Sequence, residues 1–158
     1  MPQITSCLWF DREAEDAARF YVSIFPNSKI GRVSRYPENL PGDRAGEVLT
    51  VEFELDGKAF TGLNGGPDFR FSEAISFQIE VSEQAELDRY WNALLADGGK
   101  ESQCGWLKDR FGLSWQVAPV QLARLMSDPD KAKAGRVAAA MMQMVKLDIA
   151  GLEAAAAG

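Results

Sequence analysis

The chain has 158 residues, 46% of them hydrophobic and 25% charged, enough for one compact domain or two small modules whose core needs neither disulfides nor a structural metal. A net charge of −6 and a pI near 4.7 oppose binding to a nucleic-acid backbone or to an anionic membrane surface, so neither is expected as a partner. There is no histidine, which excludes Ser-His-Asp and Cys-His catalysis and every metal site that requires imidazole.

The opening MPQITSCLWFDRE has no basic segment and no long apolar stretch, so it does not read as an export signal. No apolar run approaches the ~20 residues of a membrane helix. The two cysteines, Cys7 and Cys104, are therefore expected to be free thiols in a cytoplasmic protein.

In chain order, Gln3 to Phe10 reads as a strand, and Asp11 as the cap of a helix. Ala14, Ala17, Ala18, Tyr21 and Phe25 recur on one face of that helix, which Pro26 and Asn27 end. SKIGRVSRY is a strand, followed by a loop rich in Pro and Gly. VLTVEFEL alternates, with Leu49, Val51, Phe53 and Leu55 on one side, and Asp56-Gly57 then signals a tight hairpin into KAFTGLN. GGPDFRFSE is a second loop, and its Gly-rich start follows a strand and enters no helix, so it reads as a turn and not as a nucleotide-binding loop.

The order then repeats. AISFQIEV is a strand, Ser82 a cap, and Glu83 to Ala96 a helix with Leu87, Tyr90, Trp91, Leu94 and Leu95 on its apolar face, stopped by Gly98-Gly99. ESQCGWLKDR and LSWQVAP are strands joined by Phe111-Gly112. Val120 to Met126 is a short helix, and Asp128 begins a longer one. Val137, Met141, Met144 and Val145 form an apolar stripe for packing on the chain's own sheet or on a second subunit, and Leu147 to Ala157 continues a helical pattern. Arg19-Phe20-Tyr21 matches Arg89-Tyr90-Trp91, and Ser6 matches Ser76, at an offset of seventy; the closing strands match at fifty-five.

The expected fold is α+β: tandem βαβββ modules over residues 3–66 and 74–119, followed by helices over 120–158. This layout, and the wording of ITSCLWFDREAEDAARFYVSIFPNSKI, GEVLTVEFELDGKAFTGLNGGP, AISFQIEVSEQAELDRYW and CGWLKDRFGLSWQVAP, resembles the vicinal oxygen chelate (glyoxalase-like) superfamily, in its PhnB-like branch labelled 3-demethylubiquinone-9 3-methyltransferase. Metal-dependent members take His, Glu or Gln ligands from the first and last strands of each module. The resemblance puts those positions on Ser6, Thr61 (or Gly62), Ser76 and Gln116, a set of hydroxyls and one amide that is a poor cage for a transition-metal ion. No metal and no cofactor is therefore expected.

The resemblance implies a cleft between the modules for a small, largely apolar molecule, lined by Ser6, Thr61, Asn64, Ser76 and Gln116, with Trp106 able to stack on a flat ligand. Cys104 lacks a histidine to activate it, and Lys108 and Arg110 are read as pointing elsewhere. A metal-free binding protein and an enzyme using the same cleft (a methyltransferase as the family label has it, or a lyase or isomerase) with Glu54 or Glu80 as base both remain open, as does a homodimer that pairs modules across chains.

Overall fold

The computed structural model describes all 158 residues, which divide into two compact units, Met1–Phe71 and Ser72–Gly158. In the first, β1 (Ser6–Phe10), α1 (Ala14–Ile24), β2 (Lys29–Arg35), β3 (Val48–Leu55) and β4 (Lys58–Asn64) make one βαβββ module. Its sheet has the order β1-β4-β3-β2, with β1 parallel to β4 and the other pairs antiparallel. The Asp56-Gly57 hairpin forms as its residue types require, with both residues at positive φ (48° and 74°). Alternation along β3 sends Val51, Phe53 and Leu55 under α1, where they meet Ala14, Ala17, Ala18 and Tyr21. Leu8, Phe10 and Phe60 complete this core, each fully buried large side chain contributing about 1.5–3 kcal/mol.

The cap of α1 is not where local sequence placed it. The helix begins after Glu13, which makes no side-chain cap bond. The orphan N–H of Ala14 is satisfied instead by Oδ1 of Asn64, at 2.9 Å, from the end of β4. Ser82 likewise does not cap the second helix, which follows Glu83 without a side-chain cap.

After β4 the chain turns back across the sheet face that α1 leaves open. Gly65 lies flat on the indole of Trp9, whose Nε1 donates to the carbonyl of Gly66 at 2.8 Å, and Phe69 meets the same ring edge-on. A Cβ on Gly65 would fall inside the indole's van der Waals envelope. Gly65→Ala is therefore expected to cost about 1–3 kcal/mol in urea denaturation, as overpacking does, while Gly66→Ala adds no clash and its cost comes from positive φ alone. Equal losses at the two glycines would show that the indole contact is not the cause.

The second unit repeats the module with β5 (Ser76–Val81), α2 (Gln84–Leu95), β6 (Lys100–Glu101), β7 (Trp106–Lys108) and β8 (Ser114–Pro119), in the sheet order β5-β8-β7-β6. Leu87, Tyr90, Trp91 and Leu94 of α2 cover Leu107, Trp115 and Val117. The stretch expected as one strand from Glu101 to Arg110 is broken between β6 and β7 by a turn in which Cys104 has φ 57°. The turn from β7 to β8 is built on Asp109, 3% exposed. Its Oδ1 accepts the N–H groups of Phe111 and Leu113 (2.9 and 3.1 Å), and its Oδ2 accepts the indole N–H of Trp115 (2.9 Å).

Three helices follow: α3 (Val120–Met126), α4 (Lys131–Met142) and α5 (Ile149–Ala157). The apolar stripe packs among them, with Val137 buried against Leu125, Leu152 and Ala156, and Met141 and Met144 at the margin. Asp130, two residues later than expected, caps α4 through Ala132 and Lys133. The tail is tied to the module by backbone bonds from Cys104 and Gly105 to the carbonyls of Met144 and Val145, by Gln84 bonding both Leu147 and Ile149, and by the Lys146–Asp88 ion pair. No helix is long and apolar enough to cross a membrane.

Candidate functional site

Each sheet has one face under its helix and one turned away from it, and strand register assigns every side chain to one or the other. On the first sheet, Cys7 pairs with Thr61, and Thr61 with Glu52; all three lie on the open face, with Glu52 ion-paired to Arg32. Trp9 and Leu63 pair on the same face.

Ser6 does not join Thr61. It pairs with Phe60 and shares its parity with the buried Leu8 and Phe10, on the helix side. The reason is one residue of loop. The helices repeat at seventy, but Phe10 corresponds to Val81 and Cys7 to Gln78, an offset of seventy-one, because the connection from strand to helix is one residue shorter in the second unit. The closing strands keep the offset of fifty-five, with Thr61 corresponding to Gln116. The residue that shares Thr61's face and row is therefore Cys7.

Asn64 is also not on the open face. It is 3% exposed, and its amide is spent on the helix start and on the carbonyl of Val48, to which Nδ2 donates at 3.1 Å. It borders an open hollow of about 270 Å³ at the start of α1, lined mainly by Arg12, Glu15, Asp16, Arg44 and Glu47. Arg12 and Arg44 both pair with Glu47 there, and Nη2 of Arg44 is buried without a hydrogen-bond partner. Arg44 donates to Glu47 at 2.8 Å and to the hydroxyl of Tyr36, and its guanidinium lies over the Tyr36 ring. The hydrogen bond between them holds the Glu47 carboxyl below its ordinary range and raises the Arg44 guanidinium further.

The second sheet brings three of the expected residues together. Gln116 Nε2 donates to Ser76 Oγ at 2.8 Å, Gln78 Nε2 reaches Gln116 Oε1 at 3.4 Å, and Trp106 is the cross-strand partner of Gln116. Ser76, Gln78, Gln116 and Trp106 thus form a neutral polar row ending in an indole, on the face turned away from α2. Lys108 lies two residues beyond Trp106 on the same face and pairs with Ser114. Four residues separate Cys104 from Lys108, so alternation along one unbroken strand would put both on the same face; the turn at Cys104 and Gly105 interrupts that strand, and Lys108 takes its face from Trp106. Counting two residues from Trp106 and two back from Gln116 would have found both Lys108 and Ser114.

The carboxylates considered as bases do not have a base's surroundings. Glu54 is 40% exposed and ion-paired to Lys29, and Glu80 is exposed. The buried carboxylate is Asp109, with both oxygens committed to the turn. Cys104 is half-buried in its turn.

A family model for 3-demethylubiquinone-9 3-methyltransferase matches residues 2–118. A Bacillus cereus PhnB protein bearing the same methyltransferase designation is 32% identical over 75% of this chain and 100% of its own, with a TM-score of 0.66. The Pseudomonas aeruginosa protein PA1353 is 20% identical over 75% of this chain and 98% of its own, with a TM-score of 0.62. The fosfomycin resistance protein FosX of Mesorhizobium loti shares the fold, with 15% identity over 74% of this chain and 91% of its own, at a TM-score of 0.50. No curated protein matches the chain. With its two βαβββ modules and a family match spanning both, the chain belongs to the PhnB-like, 3-demethylubiquinone-9 3-methyltransferase branch of the vicinal oxygen chelate superfamily.

Proposed function

We propose that this protein binds a small, largely apolar molecule on the open face of its sheets, without a metal ion. The observation that carries the reading is the row on the second sheet: a serine and two glutamines already linked by hydrogen bonds, beside the indole of Trp106. Such a row orients a neutral polar group of a ligand, and the indole offers a flat apolar surface for its body.

The fold family implies a metal, and the residues here do not fit one. Thr61, Ser76 and Gln116 offer two hydroxyls and an amide, with no imidazole anywhere in the chain. Cys7, the residue in register with Thr61, would be a lone thiolate, and no group of three or more Cys, Asp or Glu side chains is gathered for an ion. Nothing in this donor set offsets the dehydration of a divalent cation.

Calorimetric titration with Zn²⁺, Ni²⁺, Mn²⁺ and Fe²⁺ is expected to show no stoichiometric binding. A one-to-one complex lost on replacing Thr61 or Gln116 by alanine would defeat the reading. The methyltransferase designation of the family supplies a second reading, an enzyme that transfers a methyl group on the same face. Binding of S-adenosylmethionine, measured by heat and thermal shift, favours it; silence in both disposes of it.

A further inference from the structure

We infer that the open face of the second sheet takes a monocarboxylate with an apolar body, with Lys108 and Lys100 as its cationic contacts and Glu73 as the side chain the ligand displaces. This rests on the small-molecule reading above and adds the charge of the ligand to it.

Register lines up four residues across the sheet: Ser76 with Ser114, Ser114 with Lys108, and Lys108 with Lys100. They share the face of Gln116 and Trp106, because Trp115 and Leu107, one residue along, are buried under α2. Two ammonium groups on directly opposed strand positions repel each other and call for an anion. The chain supplies one. Glu73 Oε1 lies 2.5 Å from Lys108 Nζ, and this bond holds the Glu73 carboxyl below its ordinary range, so it is ionised at neutral pH.

Glu73 belongs to no strand and its side chain is 63% exposed, whereas that of Lys108 is 34% exposed. The carboxylate therefore sits on the outer side of the lysine, and an exposed ion pair of this kind is held only weakly. Beside the pair, Ser114 is 1% exposed and its hydroxyl has no hydrogen-bond partner. Buried hydroxyls are almost always paired, so an unsatisfied one marks a place where an oxygen belongs. A ligand carboxylate that displaces Glu73 and sits deeper than it, between Lys108 and Ser114, would accept from both, while its apolar body ran along the strands toward Trp106.

The test uses the full chain and two isosteric probes, naphthalene carboxylate and naphthalene carboxamide, titrated by calorimetry at neutral pH and low salt. The carboxylate is expected to bind at least about tenfold more tightly than the amide. Lys108→Met should remove that preference by weakening the carboxylate by the larger factor, and Glu73→Gln should tighten the carboxylate several-fold by removing its competitor. If Lys108→Met does not fold by circular dichroism, Glu73→Gln decides: tightening supports the inference and no change overturns it. Equal affinity for the two probes overturns the carboxylate inference and leaves the small-molecule reading standing. Absence of binding by either probe overturns both.

Discussion

Replacing Asp109 by alanine is expected to destabilise the second unit by about 3–5 kcal/mol, among the largest effects of any single substitution in the chain. The carboxylate is buried, and it accepts from three donors: the N–H groups of Phe111 and Leu113 and the indole of Trp115. Bonds to a charged acceptor are worth roughly 1.5–3 kcal/mol each, and leaving a buried donor bare costs about 1–3 kcal/mol. Alanine leaves all three without a partner and also loosens the turn that sets the β7–β8 register, which places Lys108 beside Ser114 and Trp106 beside Gln116.

Asp109→Asn separates these contributions. The amide oxygen can still accept the two backbone groups, but its NH₂ then faces the indole N–H, donor against donor. A loss of about 2 kcal/mol is expected, partly recovered by adding Trp115→Phe, which removes the opposing donor. Urea denaturation of the four variants makes the double-mutant cycle. An Asp109→Ala protein within 1 kcal/mol of the parent would show that the turn does not depend on the carboxylate.

The second large effect is at Asn64, where alanine is expected to cost about 2–3 kcal/mol. The substitution removes the cap of α1, worth about 0.5–2 kcal/mol, and strips the part-buried carbonyl of Val48 of a donor. Asn64→Asp keeps an acceptor for Ala14 and adds a charge that the helix start favours, but it turns an oxygen toward the Val48 carbonyl, so it should fall between the parent and alanine. A residue serving only a ligand would behave otherwise, changing affinity at unaltered stability. Thermal and urea unfolding, measured beside naphthalene carboxylate binding, distinguish the two roles.

Both residues show where reading the chain locally stops. Asp11 and Ser82 are good capping residues directly before apolar periodic segments, yet neither caps. The cap of α1 comes from fifty residues away, because the parallel pairing of β1 with β4 brings the end of β4 to the start of the helix. Ser6 failed for a related reason. A repeat found from helix residues carries no information about the length of the loop before the helix, and one residue there exchanges the two faces of the strand.

The alternation of Val51, Phe53 and Leu55, the Asp56-Gly57 turn and the apolar faces of both module helices determine the tandem α+β layout, since each is a short-range demand that only one local conformation satisfies. The absence of histidine likewise limits the chemistry before any folding. Tertiary structure alone decided which side chains of different strands meet across each sheet. That choice depends on register between strands distant in the chain, and it put Lys108 and Ser114 beside Gln116 and Trp106 while turning Ser6 and Asn64 toward the helix side of their sheet. Pairing geometry is a property of two segments at once, and neither segment carries it by itself.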